Sequence, residues 1–237
     1  MRIAIHGTGR MAAAIVSAAD GRHDVTIIGL DGPQAPEWET TVPWCPTLSG
    51  LEEKPDLLID FTLPEGTRTA ASWCAENQVP LVSGVTGLPA DVMDALESAA
   101  AHVPVLWSPN LSLGVNLLAD LAARAAAILD DQTPVMVEDI HHRWKKDAPS
   151  GTALMLGERI GAERGGDAGT IEYRSVREGE VIGEHTVTFK LAGEEFDLVH
   201  RAHDRSIYAS GALDAGNWLI QQPAGLYSAA DWLSGLR

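Results

Sequence analysis

The apolar positions in the first hundred or so residues fall in short, nearly unbroken runs. These are Arg2-Ile3-Ala4-Ile5-His6, Val25-Thr26-Ile27-Ile28-Gly29-Leu30, Asp56-Leu57-Leu58-Ile59-Asp60-Phe61, Pro80-Leu81-Val82-Ser83 and Pro104-Val105-Leu106-Trp107. A strand that is apolar at consecutive positions is buried on both faces. Between the runs the pattern turns helical, at Met11–Ala19, Gly66–Asn77 and Pro89–Ala101. Strands alternating with helices in this way predict a parallel sheet covered by helices on both sides. The proline-rich stretch 32–55 reads mostly as loop. Beyond residue 112 the pattern changes. A long helix is predicted over Leu113–Leu129, with apolar residues at Leu117, Leu118, Leu121, Ala125 and Ile128. A strand at Pro134–Ile140 and a helix at Thr152–Arg164 follow. The next three strand-like runs, Thr170–Arg177, His185–Leu191 and Glu195–His203, have no helices between them, which predicts a mixed or antiparallel sheet. Helices at Ser210–Gln221 and Ala229–Leu236 close the chain. The change near residues 108–113 divides the chain into an α/β domain, 1–111 with 212–237 returning to it, and an α+β domain, 112–211.

Composition narrows the functional classes. With 237 residues, 45% hydrophobic and 21% charged, the chain can bury a substantial core. Its 17 Lys and Arg against 33 Asp and Glu give a net charge of −16, which disfavours general binding to a nucleic-acid backbone or an anionic membrane. Cys45 and Cys74 form neither a CxxC nor a metal spacing, so reduced thiols and no metal are expected. The N-terminus reaches His6 and Gly7 without a signal-peptide core, and the apolar stretch 111–129 is broken by Asn116, Asp120 and Arg124. A cytoplasmic protein is expected.

Two motifs carry chemistry. Gly7-Thr8-Gly9-Arg10-Met11-Ala12 is a GxGxxA that follows a predicted strand and opens a predicted helix. The first glycine permits the turn, the second admits a pyrophosphate to the backbone, and Ala12 keeps helix and sheet close. The helix N-terminus then offers N–H groups to the anion. Asp31 ends the next strand, 22 residues beyond Gly9, where a carboxylate can bind ribose hydroxyls. These features predict a Rossmann-like dinucleotide domain. The second motif is the segment 141–152, in which His141, His142, Arg143, Lys145 and Lys146 form a cationic cluster in an acidic chain. It runs into Ser150-Gly151-Thr152, a helix start with Ser150 as N-cap. An imidazole and an ammonium beside an anion site suit proton transfer near neutral pH. A solvated basic loop ahead of a capped helix has the same pattern. A zinc site does not fit, since there is no HExxH and adjacent histidines on a strand point to opposite faces. Three turns also follow predicted strands of the first domain: Asp60-Phe61-Thr62, Gly84-Val85-Thr86-Gly87 and Ser108-Pro109-Asn110-Leu111. Ligands of open parallel sheets bind beyond this strand edge.

Together these residues resemble the 4-hydroxy-tetrahydrodipicolinate reductase (dihydrodipicolinate reductase) family. His141-His142-Arg143-Trp144-Lys145-Lys146-Asp147-Ala148-Pro149-Ser150-Gly151-Thr152-Ala153 is similar to its HHxxKxDAPSGTA signature. Asp60-Phe61-Thr62-Leu63-Pro64-Glu65-Gly66 resembles its DFTxPEG, Gly84–Gly87 its GTTG, and Asn110–Asn116 its NFSxGVN. Arg177-Glu178-Gly179 with Gly183-Glu184-His185 matches its RxG and GEH pair. The chain departs from the family in a shorter glycine loop, in Val85 where a threonine is usual, and in a short segment over 164–170.

The resemblance implies a reductase of the diaminopimelate branch of lysine synthesis, acting on a cyclic dicarboxylate with a conjugated imine. It implies His141 and Lys145 as catalytic acids. His142, Ser150, Gly151 and Thr152 would hold the substrate. The dinucleotide would lie on Gly7, Thr8, Gly9, Arg10, Met11, Phe61, Thr62, Gly84, Val85, Thr86, Ser108, Pro109, Asn110 and Leu111. A homotetramer is also implied. Asp31, with no Lys or Arg between His23 and Lys54, predicts NADH as the preferred cofactor with some use of NADPH. Two rival readings share the motifs: another nicotinamide-dependent reductase of a small carboxylate, and a dinucleotide sensor without turnover.

Overall fold

The computed structural model describes residues 1–19, 21–29, 36–165 and 171–236. Asp31 and most of the short 164–170 segment lie outside the described residues. The chain divides into two compact units, Met1–Ser112 with Ser206–Arg237, and Leu113–Arg205.

In the first unit, β1 (Arg2–His6), β2 (Asp24–Ile28), β3 (Trp44–Cys45), β4 (Leu57–Asp60), β5 (Leu81–Ser83), β6 (Pro104–Trp107) and β11 (Gly225–Tyr227) form one sheet. Their order is β11-β6-β5-β4-β1-β2-β3, and every pair is parallel. The apolar runs behave as predicted, because successive residues feed two different cores. Ile3, Ile5, Leu57 and Ile59 pack on one side with Ile15, Leu213, Leu219 and Trp232. Ala4, Leu58, Leu81 and Val105 pack on the other with Ala70, Cys74, Leu96 and Ala99. The first side is thus covered by α1 (Arg10–Ala19), α6 (Ser206–Leu219) and α7 (Ala229–Gly235), the second by α2 (Pro64–Asn77) and α3 (Ala90–Ala100). Two strands were not foreseen. β3 interrupts the expected 32–55 loop, and β11 adds an edge against β6 through Gly225↔Pro104 to Tyr227↔Leu106. β3 has two residues and β11 three, neither in an unbroken apolar run, and only their pairing reveals them. The sheet reverses direction of growth between β1 and β4, where the crevice of an open parallel sheet forms.

In the second unit, β7 (Val135–His141), β8 (Ile171–Arg177), β9 (Gly183–Leu191) and β10 (Glu194–Ala202) form a mixed sheet in the order β10-β9-β7-β8. β7 runs parallel to β8 and antiparallel to β9. α4 (Leu113–Ile128) and α5 (Gly151–Glu163) supply the helical side of its core, with Val135, Val137, Val187 and Phe189 from the strands. Of the expected apolar stripe on α4, Leu118 and Ala125 pack against the core and the other three residues do not. Leu118, Ala119, Ala122 and Ala126 enter the core, whereas Leu117 is 46% exposed, Leu121 42% and Ile128 83%. Among the described residues no helix is long and apolar enough to cross a membrane.

Candidate active site

The first group of site residues sits at the carboxyl ends of adjacent strands in the first unit. Gly7 follows β1 and donates its N–H to Ile28 O at 2.9 Å. Its φ is +116°, and a Cβ there would lie 3.2 Å from Phe61 O, so both backbone conformation and space demand glycine. Gly9 is different: nothing lies within 4 Å of a Cβ position, so the backbone is open to an approaching group. The N–H groups of the first turn of α1 begin there and have no acceptor within the helix. Trp38 donates from Nε1 to Thr8 O at 2.8 Å and braces the loop. Arg10 is exposed, and Thr8 and Met11 are half-buried.

Behind the loop lies Asp60, fully buried at the end of β4. It accepts from Thr62 Oγ1 at 2.6 Å, Thr67 Oγ1 at 2.7 Å and Ser83 Oγ at 2.9 Å. This carboxylate therefore ties the turn after β4 to the end of β5. A Cβ on Gly84 would run into the Phe61 ring, so glycine there lets the ring pack down. Trp107 Nε1 donates to Val85 O at 2.9 Å. Ser108 Oγ donates to Asn110 O at 2.7 Å, and Asn110 Oδ1 accepts from Ser112 N at 2.9 Å. Thr86 and Pro109 are exposed, while the side chains of Val85 and Leu111 are buried, leaving their backbones as the accessible part. The open backbone above Gly9, the helix start and the polar turns fit a dinucleotide.

The second group is built on β7, where burial alternates along the strand. Val135, Val137, Asp139 and His141 all point inward. Asp139 has 0% exposure and is held by four donors. His141 Nδ1 lies 3.0 Å and Arg177 Nη1 2.9 Å from its Oδ1. Ser175 Oγ donates to its Oδ2 at 2.6 Å, and Ser150 N at 3.4 Å. Burial works against the Asp139 anion, but Ser175 and Arg177 outweigh it and hold the carboxyl below its ordinary range. His141 is pushed down, first by burial and next by the Lys145 ammonium, with Asp139 acting in the opposite sense.

Ser150 caps α5 as expected, its Oγ accepting from Ala153 N at 3.1 Å. The same Oγ lies 3.5 Å from His185 Nε2. His185 is almost fully buried, its ring 5.2 Å from that of His141, and burial pushes its pKa down to about 3, so it is neutral at any working pH. Lys145 Nζ pairs with Asp147 Oδ2 at 2.8 Å and remains partly accessible, and this ion pair holds Asp147 below the ordinary range. Arg177 Nη2 donates to Asp147 O at 2.6 Å, fixing the loop between β7 and α5. His142 and Thr152 are half-buried, and Gly151 is exposed with open space around it.

The second unit therefore gathers His141, His142, Lys145, Ser150, Gly151 and Thr152 around one strand end and one helix start. Asp139, Ser175 and the Arg177 guanidinium join this group with no motif in the sequence that assigns them a role. Strand alternation alone puts Asp139 on the face of His141, two residues later. Ser175 and Arg177 are 36 and 38 residues distant from Asp139 and meet it only through the β7–β8 pairing. Chemically the group offers an imidazole whose second nitrogen is engaged, an ammonium, and backbone N–H groups aimed at an anion.

Comparison with known proteins points the same way. The family model described as "Dihydrodipicolinate reductase, N-terminus" matches residues 1–111, and that described as "Dihydrodipicolinate reductase, C-terminus" matches residues 114–233. The chain is 42% identical over 239 residues to a 4-hydroxy-tetrahydrodipicolinate reductase of Stenotrophomonas maltophilia, with 98% of each chain covered. It is 36% identical over 262 residues to that of Pseudoalteromonas atlantica, again with 98% of each covered. Among solved structures, a dipicolinate-bound dihydrodipicolinate reductase from Paenisporosarcina sp. TG-14 superposes with a TM-score of 0.84 at 25% identity, covering 96% of this chain and 97% of that one. A glycine loop at the end of β1, a cationic strand end on β7 and matches over nearly the whole length agree: the chain belongs to the dihydrodipicolinate reductase family.

Proposed function

We propose that this protein reduces 4-hydroxy-tetrahydrodipicolinate to tetrahydrodipicolinate with a nicotinamide dinucleotide, a step of diaminopimelate and lysine synthesis. The observation that carries this reading is the group on β7. An imidazole anchored to a buried carboxylate stands beside an ammonium and a serine-capped helix start. A dinucleotide sensor needs no such proton donor.

The first turn of α1 and the backbone at Gly7 to Met11 would hold the pyrophosphate. The turns at Phe61-Thr62, Gly84-Val85-Thr86 and Ser108 to Leu111 would line the nicotinamide end. When bound, the reduced nicotinamide supplies hydride. His142, Ser150, Gly151 and Thr152 orient the substrate carboxylates through N–H and O–H donors, for which a helix N-terminus is well suited. The 4-hydroxyl leaves the ring as water to give the conjugated imine, the hydride adds to that ring, and His141 and Lys145 supply the proton that completes the reduction. Asp31 and the absence of Lys or Arg from residues 24–53 support a preference for NADH. β10 is an edge strand carrying exposed Phe196 and Val199, which supports assembly into the tetramer implied by the family resemblance.

The experiment is dinucleotide oxidation followed with and without freshly generated substrate. Turnover should require the substrate. His141→Ala and Lys145→Ala should each lower kcat by roughly 10²- to 10⁴-fold, the usual worth of general acid catalysis, while leaving dinucleotide binding unchanged. Binding of the dinucleotide without turnover would select the sensor. Turnover only with a different carboxylate would select another reductase.

A further inference from the structure

The mechanism above uses His141 but leaves open what makes one of its nitrogens the proton-bearing one. We propose that Asp139 is the positioning residue of this site: its carboxylate fixes the proton of neutral His141 on Nδ1, presents Nε2 as the exchanging nitrogen, and binds the imidazole to the same anchor as the substrate-binding helix start. This rests on the reading of His141 as the proton donor.

The geometry accounts for all of the carboxylate's acceptor positions. Oδ1 takes His141 Nδ1 and Arg177 Nη1, and Oδ2 takes Ser175 Oγ and Ser150 N. A carboxylate so surrounded has no reason to carry a proton, so the proton on the His141–Asp139 bond belongs to the imidazole. Nε2 is then the nitrogen left over. Space around it is kept by Gly183, where a Cβ would stand only 3.2 Å from Nε2. Ser150 N belongs to the cap of α5, so one buried side chain sets both the donor's orientation and the position of the helix start. The charged and titratable groups around His141 are Asp139 on its own strand, Lys145 and Asp147 on the loop that follows, Arg177 on β8, His185 on β9 and His200 beyond it on β10. Lys145 and Arg177 oppose protonation of His141, and Asp139 favours it. Without the Asp139 anion the imidazolium is disfavoured. The donor form then disappears at a lower pH, and the activity that falls as pH rises falls earlier.

Two measurements test this. The first needs neither substrate nor variant: ¹⁵N NMR of histidine-labelled protein above the titration of His141. The Nδ1–H tautomer is expected, and an Nε2–H tautomer would overturn the proposal. The second is the kcat–pH profile of Asp139→Asn, with folding checked by circular dichroism. The expected result is a loss of at least about 10-fold in kcat, as when the partner orienting a functional histidine is removed. The KM for the dinucleotide should be unchanged, and the alkaline limb should move to lower pH. Asp139→Glu should return part of that limb shift. A folded Asp139→Asn variant whose limb stays in place would show a purely structural role and refute the proposal. If His141→Ala turned over at the wild-type rate, the donor assignment would fail instead, while the NMR result would still decide the tautomer.

Discussion

His185 illustrates how strongly this site perturbs single side chains. Its pKa falls from 6.5 to about 3, chiefly through burial, with the neighbouring His141 adding to the effect. In the unfolded chain it gains a proton as pH falls through 6.5, whereas in the folded chain it does not until near 3. The stability contributed by burying it neutral is thus complete above about pH 6.5 and is lost progressively as pH falls towards 3, by roughly 4–5 kcal/mol in all. His200 and His141 are shifted in the same direction and steepen the loss. Unfolding free energies from urea titrations between pH 7 and 4 should therefore decline in the wild type. In His185→Gln the slope should be smaller by up to about 1.4 kcal/mol per pH unit, the worth of one proton. An unaltered slope would mean that His185 protonates in the folded state. At this scale the sequence was informative where chemistry is local. His141, Lys145 and Ser150 stand out because cations and a cap crowd into a dozen positions. Asp139, Ser175, Arg177 and His185 belong to one constellation only after three strands have paired.

Helix α5 joins stability to binding at the level of an element. Its N-terminus is capped by Ser150, and Gly157 in its middle leaves room for Tyr173, whose hydroxyl would collide with a Cβ there. Ser150→Ala removes the acceptor for Ala153 N and should cost about 1 kcal/mol, or roughly 2–4 °C in Tm for a protein of this size. The same change should weaken binding of pyridine-2,6-dicarboxylate by calorimetry, because the first-turn N–H groups lose their alignment. A lower Tm with unaltered affinity would separate the cap from the anion site. Most elements were legible in the sequence because their burial leaves a pattern, unbroken in the doubly buried strands β1, β4 and β5 and alternating in β7. The exceptions have physical causes. β3 and β11 are held by a few backbone bonds at sheet edges, and α4 packs through small residues that carry little hydrophobic signal.

Across the whole molecule, the net charge of −16 surrounds a site that must attract anions, so recognition depends on local cations and oriented N–H groups. The same field bears on the cofactor. If Asp31 binds the ribose as proposed, a 2′-phosphate finds no Lys or Arg among residues 24–53 of the sequence, where Glu37, Glu39, Glu52 and Glu53 add negative charge. The expected outcome is a roughly 5- to 30-fold advantage of NADH over NADPH in kcat/KM, the equivalent of about 1–2 kcal/mol of repulsion, measured by steady-state kinetics at low ionic strength. Equal efficiency would instead assign the phosphate to Arg10, and Arg10→Ala should then abolish NADPH use selectively. The proposed activity requires a dinucleotide on the glycine loop of one unit and a dicarboxylate at the β7–α5 corner of the other. A crystal structure of the ternary complex with NADH and pyridine-2,6-dicarboxylate tests it most directly. Pyrophosphate density is expected on the first turn of α1, carboxylate density at Ser150, Gly151 and Thr152, and the pyridine ring within reach of His141 Nε2. Dicarboxylate density away from His141 and Lys145, or a dinucleotide away from residues 7–12, would contradict it.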